Sequence, residues 1–466
     1  MNAATQPQAR ADWATQAVAR QRAFFESGAT RSYEFRLQQL KQLKAAMLKY
    51  ADEVEAALKQ DIGRPALEAY VEMSTAMEEL NHTLKHLKKW MQPKKVGTPL
   101  LAQPGRSRIE YTPLGVVFIM GPYNYPYVLC IQPLIGALAA GNTVIMKPSS
   151  LTPATSAVME KMAKEFFTPD VFQIFQGSTD VTDALLEEQF DHIFFTGSPR
   201  VGKIVMAKAA KYLTPVTLEL GGKSPTIVHR DAKLEIAAKR LLAGKLMNAG
   251  QTCIAPDHLF VHASVKDEFQ RILVKTLKDF YGDNPQKSPD FGRIINGKHF
   301  ERVKALIDPA KVLAGGQTDA ADRYIAPTLL KDVTLDDAVM QEEIFGPLLP
   351  IISYNSLSEV YKHVKRLPSH PLALYVFTES RDVEQDVLAN IQFGGGCVNN
   401  TLMHIANANL PFGGVGESGL GAYHGHRSFL TFSHQRSVLK SSTFMDLPMR
   451  YAPYKDKVKL FKAMFK

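Results

Sequence analysis

Between residues 10 and 95 apolar side chains recur every three or four positions, most regularly in YEFRLQQLKQLKAAMLKYADEVEAAL from Tyr33 to Leu58. That is the period of an amphipathic helix, and it predicts a helical first quarter. VGTPLLAQPGRSRIEYTPLG (Val96 to Gly115) breaks the pattern and, being rich in Pro and Gly, predicts an extended excursion. From Val116 the texture changes. Short apolar runs (VVFIMGP, NTVIMKP, FQIFQG, HIFFTG, VTLELGG) alternate with longer helical patterns such as CIQPLIGALAAG and PATSAVMEKMAKEFF. Strand–helix–strand alternation predicts an α/β fold with a parallel sheet covered by helices on both faces. A second α/β stretch begins near Ser224, with SPTIVH, HLFVHASVKDEFQRILVKTLKDF, LLPIISY and LALYVFT. Neither an internal repeat nor a low-complexity tract is present.

Residues 111 to 146 carry no Asp, Glu, Lys or Arg. Gly121-Pro122, Asn124, Pro126, Gln132-Pro133 and Gly141-Asn142 punctuate this run, whereas a membrane-spanning helix needs about 20 apolar residues unbroken. Buried strands and a buried helix fit it better. The length suits two or three domains. The 45% hydrophobic and 22% charged composition is that of a globular chain. The net charge of +9 collects in KHLKKWMQPKK and in the tail KDKVKLFKAMFK. With no RNP, helix-turn-helix or finger pattern beside it, the excess reads as a solvated surface and not as a nucleic-acid site. MNAATQPQAR lacks the apolar stretch of a signal peptide, and the three cysteines are widely spaced, which together suit a reducing, cytoplasmic setting.

Strand ends are where such sheets bind ligands. In FFTGSPRVGK a strand stops at Thr196, and Gly197 and Gly202 flank a helix start whose amides could receive a pyrophosphate. In LELGGKSP, Glu219 lies between two leucines. A desolvated carboxylate there would have a raised pKa and suit a general base, and a Glu paired with Lys or Arg at a sheet edge is the other reading. Cys253, in NAGQTCIAP, has no charged residue within three positions on either side, so it is either apolar filling or a nucleophile activated from elsewhere in the chain. Asn124 of GPYNYPY is a turn residue or an oxyanion donor. Cys130 in YVLCIQPL reads as core, and Cys397 in GGGCVNN as packing or pocket lining. His424 and His426 of HGH have no third metal ligand nearby, so no metal site is expected.

Taken in order, GPYNYP, MKPSS, FFTGS, LELGGKSP, NAGQTC, EEIFGP and LPFGGVGESGLGAYHG resemble the aldehyde dehydrogenase superfamily, and FLTFSHQRSV after the last of them resembles its class 3 branch. The resemblance covers nearly the whole chain. It implies a Rossmann-type NAD(P)-binding domain (1–95 and 113–220), an α/β catalytic domain (221–410), a small bridging or oligomerisation element (96–112 and 434–446) and a C-terminal tail (447–466). It implies Cys253 as nucleophile, Glu219 as general base, and the Asn124 side chain with the Cys253 amide as oxyanion hole. Lys147 would bind the adenosine ribose, Gly197 and Ser198 would lie beside the pyrophosphate, Glu343 would hold the nicotinamide ribose, and Phe345 would pack near the ring. Tyr125, Tyr127, Leu129, Met403 and Ile405 would form an apolar entrance for medium or long aliphatic, or aromatic, aldehydes. Many relatives carry Glu three residues after this lysine. Here the position is Ser150, so a strict preference for NAD over NADP is not expected. The implied assembly is a homodimer.

Three other readings remain: release of the acyl group to coenzyme A, a cysteine hydrolase pairing Cys253 with His258 or His426, and a non-enzymatic binding protein on the same fold. In the tail, Val458, Phe461 and Phe465 share a helical face ringed by lysines, which suits a docked terminal helix or, as the less favoured alternative, a peripheral membrane contact.

Overall fold

A computed structural model describes residues 12–367, 370–446, 450–455 and 457–464. Four helices come first: α1 (Asp12–Glu26), α2 (Tyr33–Lys49), α3 (Ala51–Ile62) and α4 (Ala66–Trp90). The excursion supplies β1 (Lys94–Val96) and β2 (Gly105–Pro113). The alternating stretch gives β3 (Val116–Met120), α5 (Val128–Ala140), β4 (Thr143–Lys147), α6 (Pro153–Phe166), β5 (Phe172–Ile174), α7 (Thr179–Leu186), β6 (His192–Thr196), α8 (Pro199–Ala210) and β7 (Val216–Glu219). The second stretch runs β8 (Pro225–Val228), α9 (Leu234–Leu246), β9 (His258–His262), α10 (Lys266–Tyr281), α11 (Gly297–Lys304), β10 (Val312–Ala314), β11 (Thr318–Asp319), β12 (Tyr324–Ile325), β13 (Thr328–Leu330), α12 (Ala338–Gln341), β14 (Leu348–Tyr354), α13 (Leu357–Arg366), β15 (Ala373–Phe377), α14 (Arg381–Asn390) and β16 (Gly395–Val398). β17 (Gly419–Leu420), α15 (Gly425–Thr431), β18 (Ser433–Ser441) and α16 (Lys457–Met464) end the described chain.

Two large sheets result. A six-stranded sheet has the order β17-β7-β6-β3-β4-β5, parallel throughout except for β17, which runs antiparallel along β7. A seven-stranded sheet has the order β10-β13-β14-β9-β8-β15-β16, with only β10 antiparallel. Every residue of β3, β4 and β6 is buried, as a parallel strand covered on both faces requires. All of α5 except Leu129 is buried as well, which accounts for its lack of charge. A third sheet, β1-β2-β18, is antiparallel and largely exposed, and joins the excursion to the C-terminal segment.

The chain leaves the six-stranded sheet at Glu219 and enters the seven-stranded one at Pro225, so residues 220–224 cross between the sheets. One hydrophobic core spans that crossing: α2–α6 and one face of the six-stranded sheet pack with Ile254, Leu372, Ala373, Tyr375, Leu402 and Phe412. Cys130 is fully buried in this core, and its sulfur fills the place a Cβ on Gly121 would take, 2.1 Å away. Among the described residues no helix is long and apolar enough to cross a membrane. In the tail, Val458 is 53% exposed. The Phe461 side chain and Phe465 lie outside what is described.

Candidate active site

Cys253 sits in the loop between α9 and β9, beside the inter-sheet crossing. The approach to it is conformationally strained. Asn248 and Ala249 hold φ values of 53° and 50°, in the left-handed region that non-glycine residues avoid. Gly250 follows at φ 75°, where a Cβ would collide with the Gly346 carbonyl at 2.2 Å. The Cys253 loop is thereby packed against the loop of Glu343 and Phe345. Side-chain hydrogen bonds tie the turn together. Asn248 Nδ2 donates to the carbonyls of Asn124 (2.9 Å) and Gln251 (3.0 Å), and Gln251 Nε2 donates to the Asn248 carbonyl (3.0 Å).

Asn124 follows β3 and is 4% exposed. Its carboxamide Nδ2 donates to the Gln251 carbonyl at 3.1 Å. An NH₂ group has two hydrogens, so one such bond leaves a second for a substrate oxygen. Tyr125 next to it donates to or accepts from Thr252 Oγ1 at 2.9 Å, which anchors the residue preceding the sulfur. Asn124 and Cys253 are far apart in sequence, and the Gln251–Thr252 pair joins them.

Glu219 ends β7 and is 2% exposed. Both of its carboxylate oxygens are buried, and among the described residues neither has a hydrogen-bond partner. Burial alone drives its pKa well above the usual carboxylate range. The paired-Glu reading thus has no cation to rest on. Burial also pushes the Cys253 thiol up to about 12, with Glu343 and Glu219 adding repulsion. Glu343 is raised to about 8, first by burial and then by Asp257. Its carboxylate lies over Gly221, so close that a Cβ there would be 2.0 Å from Oε2. Phe345 takes φ 48° and meets the Tyr123 ring edge-on at 5.9 Å between centroids.

The sequence did not single out Lys223, which fixes this loop. Lys223 is buried, and its Nζ donates to Asp257 Oδ2 (2.5 Å) and to the carbonyls of Val339 (3.0 Å) and Glu342 (2.8 Å). Asp257 Oδ1 accepts from the Ile344 amide at 2.9 Å. The lysine lies inside the quoted LELGGKSP, but its partners are more than thirty residues away.

At the far end, Lys147 closes β4 at 8% exposure, and burial lowers its pKa. Ser149 and Ser150 follow and line, with Pro148, Pro153, Ser156, Gln176 and Gly177, a cleft of about 190 Å³. Ser150 is exposed. The start of α8 offers few free donors. Pro199 has no N–H, the Val201 amide is held by Ser198, and the Gly202 amide is in the helix ladder. Gly202 is buried inside α8, where a Cβ would lie 2.8 Å from Leu220, so its visible task is close helix–strand packing. Gly197 is open to the turn, and a Cβ there would strike the Phe195 ring.

Tyr125, Leu129 and Ile405 are half-buried against the hydrophobic core that includes Tyr127, and Met403 is 57% exposed. Cys397 is half-buried there too, 3.5 Å from His404 Nδ1. The histidines of the hydrolase reading lie elsewhere. His258 is buried beside Asp257 and Phe260, and His426 stacks on Phe429 and tilts over Trp90. Among the described residues no three His, Cys, Asp or Glu side chains are placed to hold a metal ion.

A family model for the aldehyde dehydrogenase family matches residues 2–438. The chain belongs to that family. A relative from Staphylococcus aureus (strain NCTC 8325 / PS 47), named 4,4'-diaponeurosporen-aldehyde dehydrogenase, is 47% identical over 448 residues, covering 96% of this chain and 97% of its own. A Rattus norvegicus relative named aldehyde dehydrogenase, dimeric NADP-preferring, is 46% identical, covering 91% of this chain and 94% of its own. A solved structure titled the substrate bound state of Staphylococcus aureus AldH superposes with a TM-score of 0.95 at 46% identity, covering 97% of this chain and 99% of that one. With further relatives named as family 3 members, this aldehyde dehydrogenase stands in the class 3-like branch. It oxidises aldehydes to carboxylic acids with NAD or NADP as cofactor. The hydrolase and non-enzymatic readings fall with that assignment.

Proposed function

We propose that this aldehyde dehydrogenase works through a thioester on Cys253, with Glu219 as general base and Asn124 as oxyanion donor, on medium or long aliphatic and on aromatic aldehydes. The observation that carries the reading is Glu219: a buried carboxylate without a partner, near enough to Cys253 to raise its pKa. Such a group is costly to the fold unless it acts on something that enters the site.

The remaining residues fit a dinucleotide. The cleft beside Ser150 suits the adenosine end, with Lys147 at its root. Gly197 sits at the turn after β6, and the Glu343 carboxylate over Gly221 suits a ribose. When bound there, the nicotinamide supplies the hydride acceptor and a positive charge. The Cys253 thiolate, its proton released to water, adds to the aldehyde carbon, and the second hydrogen of Asn124 Nδ2 and the Cys253 amide receive the oxygen. Loss of hydride from that adduct leaves a thioester on Cys253. Glu219 then removes a proton from water, whose oxygen attacks the thioester and releases the acid. The presence of Glu219 favours water over coenzyme A as acceptor.

Cys253→Ala should abolish turnover while NAD(P)H binding persists. Glu219→Gln should give one burst of NAD(P)H per site and then stall, because the thioester forms but hydrolyses slowly. Stopped-flow absorbance reads both, and full steady-state activity in either variant would refute the assignment.

Half-buried Tyr125, Leu129 and Ile405, with Met403 toward solvent, would line an apolar path to the sulfur. Each buried methylene contributes up to about 0.8 kcal/mol. kcat/KM should therefore rise as the aldehyde lengthens from about two to about eight carbons; a preference for acetaldehyde over octanal would contradict the path. For assembly we propose a homodimer that covers the exposed sheet of β1, β2 and β18. Nearby Leu100, Leu439 and Phe444 are 67%, 51% and 96% exposed, apolar side chains that a partner could cover. The tail helix α16 would dock on protein in preference to a membrane surface.

A further inference from the structure

Three charged residues from the turn before α4 and its first turns reach into the catalytic centre. Gly63 ends α3 in the left-handed conformation (φ 61°), and the turn it makes sends Arg64 inward. Arg64 is 2% exposed, and Glu72, two turns along α4, is 2% exposed as well. The guanidinium donates through Nη1 to the Glu72 carboxylate and through Nη2 to the main-chain carbonyl of Asn124. Its face lies 4.4 Å from the centre of the Tyr125 ring. Nε is buried, with no acceptor among the described residues. The other Glu72 oxygen accepts the amides of Tyr127 (2.9 Å) and Val128 (3.1 Å), the start of α5. Glu68, between them, accepts the Asn248 amide at 2.9 Å.

Burying an ion pair in this way is seldom worth more to stability than apolar side chains of the same volume. An orphaned Nε makes the fold's case weaker still. What the arrangement does accomplish is geometric. The segment from Asn124 to Val128 is gripped at three points by Arg64 and Glu72. The Asn124 carbonyl is shared by Arg64 and Asn248, the second of which also holds the Gln251 carbonyl that Asn124 Nδ2 engages. Tyr125, stacked under the guanidinium, is tied in turn to Thr252 beside Cys253. A planar fork that bonds a carboxylate and a carbonyl together, while stacking on a ring, is specific to arginine.

We propose that Arg64 is a positioning residue for the reaction: with Glu72 it fixes the Asn124 main chain, so that the Asn124 carboxamide meets the oxygen of the adduct on Cys253. The proposal rests on the reading of Asn124 as oxyanion donor. The charge itself is not used on substrate; the direction of the Asn124 amide is.

The test is a double-mutant cycle on the full-length enzyme, with NAD⁺ and hexanal, reading the rate constant of the first NADH turnover. Arg64→Lys retains a cation opposite Glu72 but loses the fork. The paired variant Arg64→Met/Glu72→Gln removes both charges together and so leaves no lone buried ion. Both should slow the first turnover tenfold or more, with the Kd for NADH, measured by fluorescence, within twofold of wild type. In an Asn124→Ala background, Arg64→Lys should change that rate less than twofold, because the group it directs is gone. Multiplying losses in the cycle, an unchanged rate in Arg64→Lys, or a loss of NADH affinity in parallel with rate would each overturn the proposal. A wild-type first turnover in Asn124→Ala alone would instead overturn the oxyanion reading, and this proposal with it.

Discussion

A thiol flanked by two carboxylates in a buried loop has little tendency to ionise. For Cys253 burial, Glu343 and Glu219 all act in the same direction, to about 12. An ordinary thiol titrates near pH ~8.5. In the free enzyme the thiolate fraction at Cys253 should therefore grow about tenfold per pH unit from pH ~7 to ~10, with no plateau near ~8.5. Alkylation by iodoacetamide in a Cys397→Ser background, followed by mass at Cys253, measures it; a plateau near 9 would show a sulfur far less shielded. Saturating NAD⁺ places a cation in the site, so it should shift the profile to lower pH and quicken alkylation at neutrality. At the proposed adenosine end, Ser150 has no charge to repel a 2′-phosphate, and Lys147 is near. NADP⁺ should be used within roughly tenfold of NAD⁺, under about 1.4 kcal/mol apart, and Ser150→Glu should turn the preference strongly to NAD⁺. Measuring kcat/KM for both cofactors decides this, and a thousandfold rejection of NADP⁺ by the wild type would mean another group guards that oxygen.

Among the elements, α4 carries an unusual load of buried acid. Besides Glu68 and Glu72 it presents Glu79, whose carboxylate accepts the Gly425 amide at 2.7 Å and is raised by burial to about 7. A carboxyl raised in the folded state holds its proton there and releases it on unfolding. Its stabilising contribution is complete below the unfolded pKa near ~4.3 and is lost as pH climbs through about 7. Tm should accordingly decline between pH ~5 and ~8. Glu79→Gln, which stays neutral and still accepts from Gly425, should decline less steeply; superimposable curves would refute the linkage. None of this could be read along the chain. The alternation of β3 to β7 with α5 to α8 was plain, because a parallel strand buried on both faces is written as an unbroken apolar run. Cys253, Glu219 and Asn124 stood out through their motifs. The residues that support them did not: Arg64, Glu68 and Lys223 look like ordinary polar positions until folding brings partners from 60 to 180 residues away. The segment from β10 to β13 was silent for another reason, since strands of two or three residues are too short to show a period. Gly202 reads in the sequence as part of a pyrophosphate turn, and only the fold shows that its missing Cβ also makes room for Leu220.

On the scale of the whole molecule, the exposed three-stranded sheet and the apolar residues beside it fit a second copy of the chain. Sedimentation of the wild type should give a dimer, and Leu439→Asp with Phe444→Asp should give monomers; a monomeric wild type would leave that surface without its proposed cover. The hydrophobic core that runs from α2 and α5 across to Tyr375 and Leu402 has a different consequence. A chain with two sheets and two sets of chemical duties would ordinarily melt as two bodies. Here the two sheets share the core into which Ala373 and Tyr375 of β15 pack, so neither melts without exposing apolar surface on the other, although most of the seven-stranded sheet also has a core of its own. Calorimetry should record one endotherm whose van't Hoff enthalpy approaches the calorimetric value, and a chain truncated at residue 220 should not fold alone. The enzyme would then lack a stable half: a chain cut or truncated between its sheets is lost as a whole, and no inert dinucleotide-binding remnant survives to compete for the cofactor.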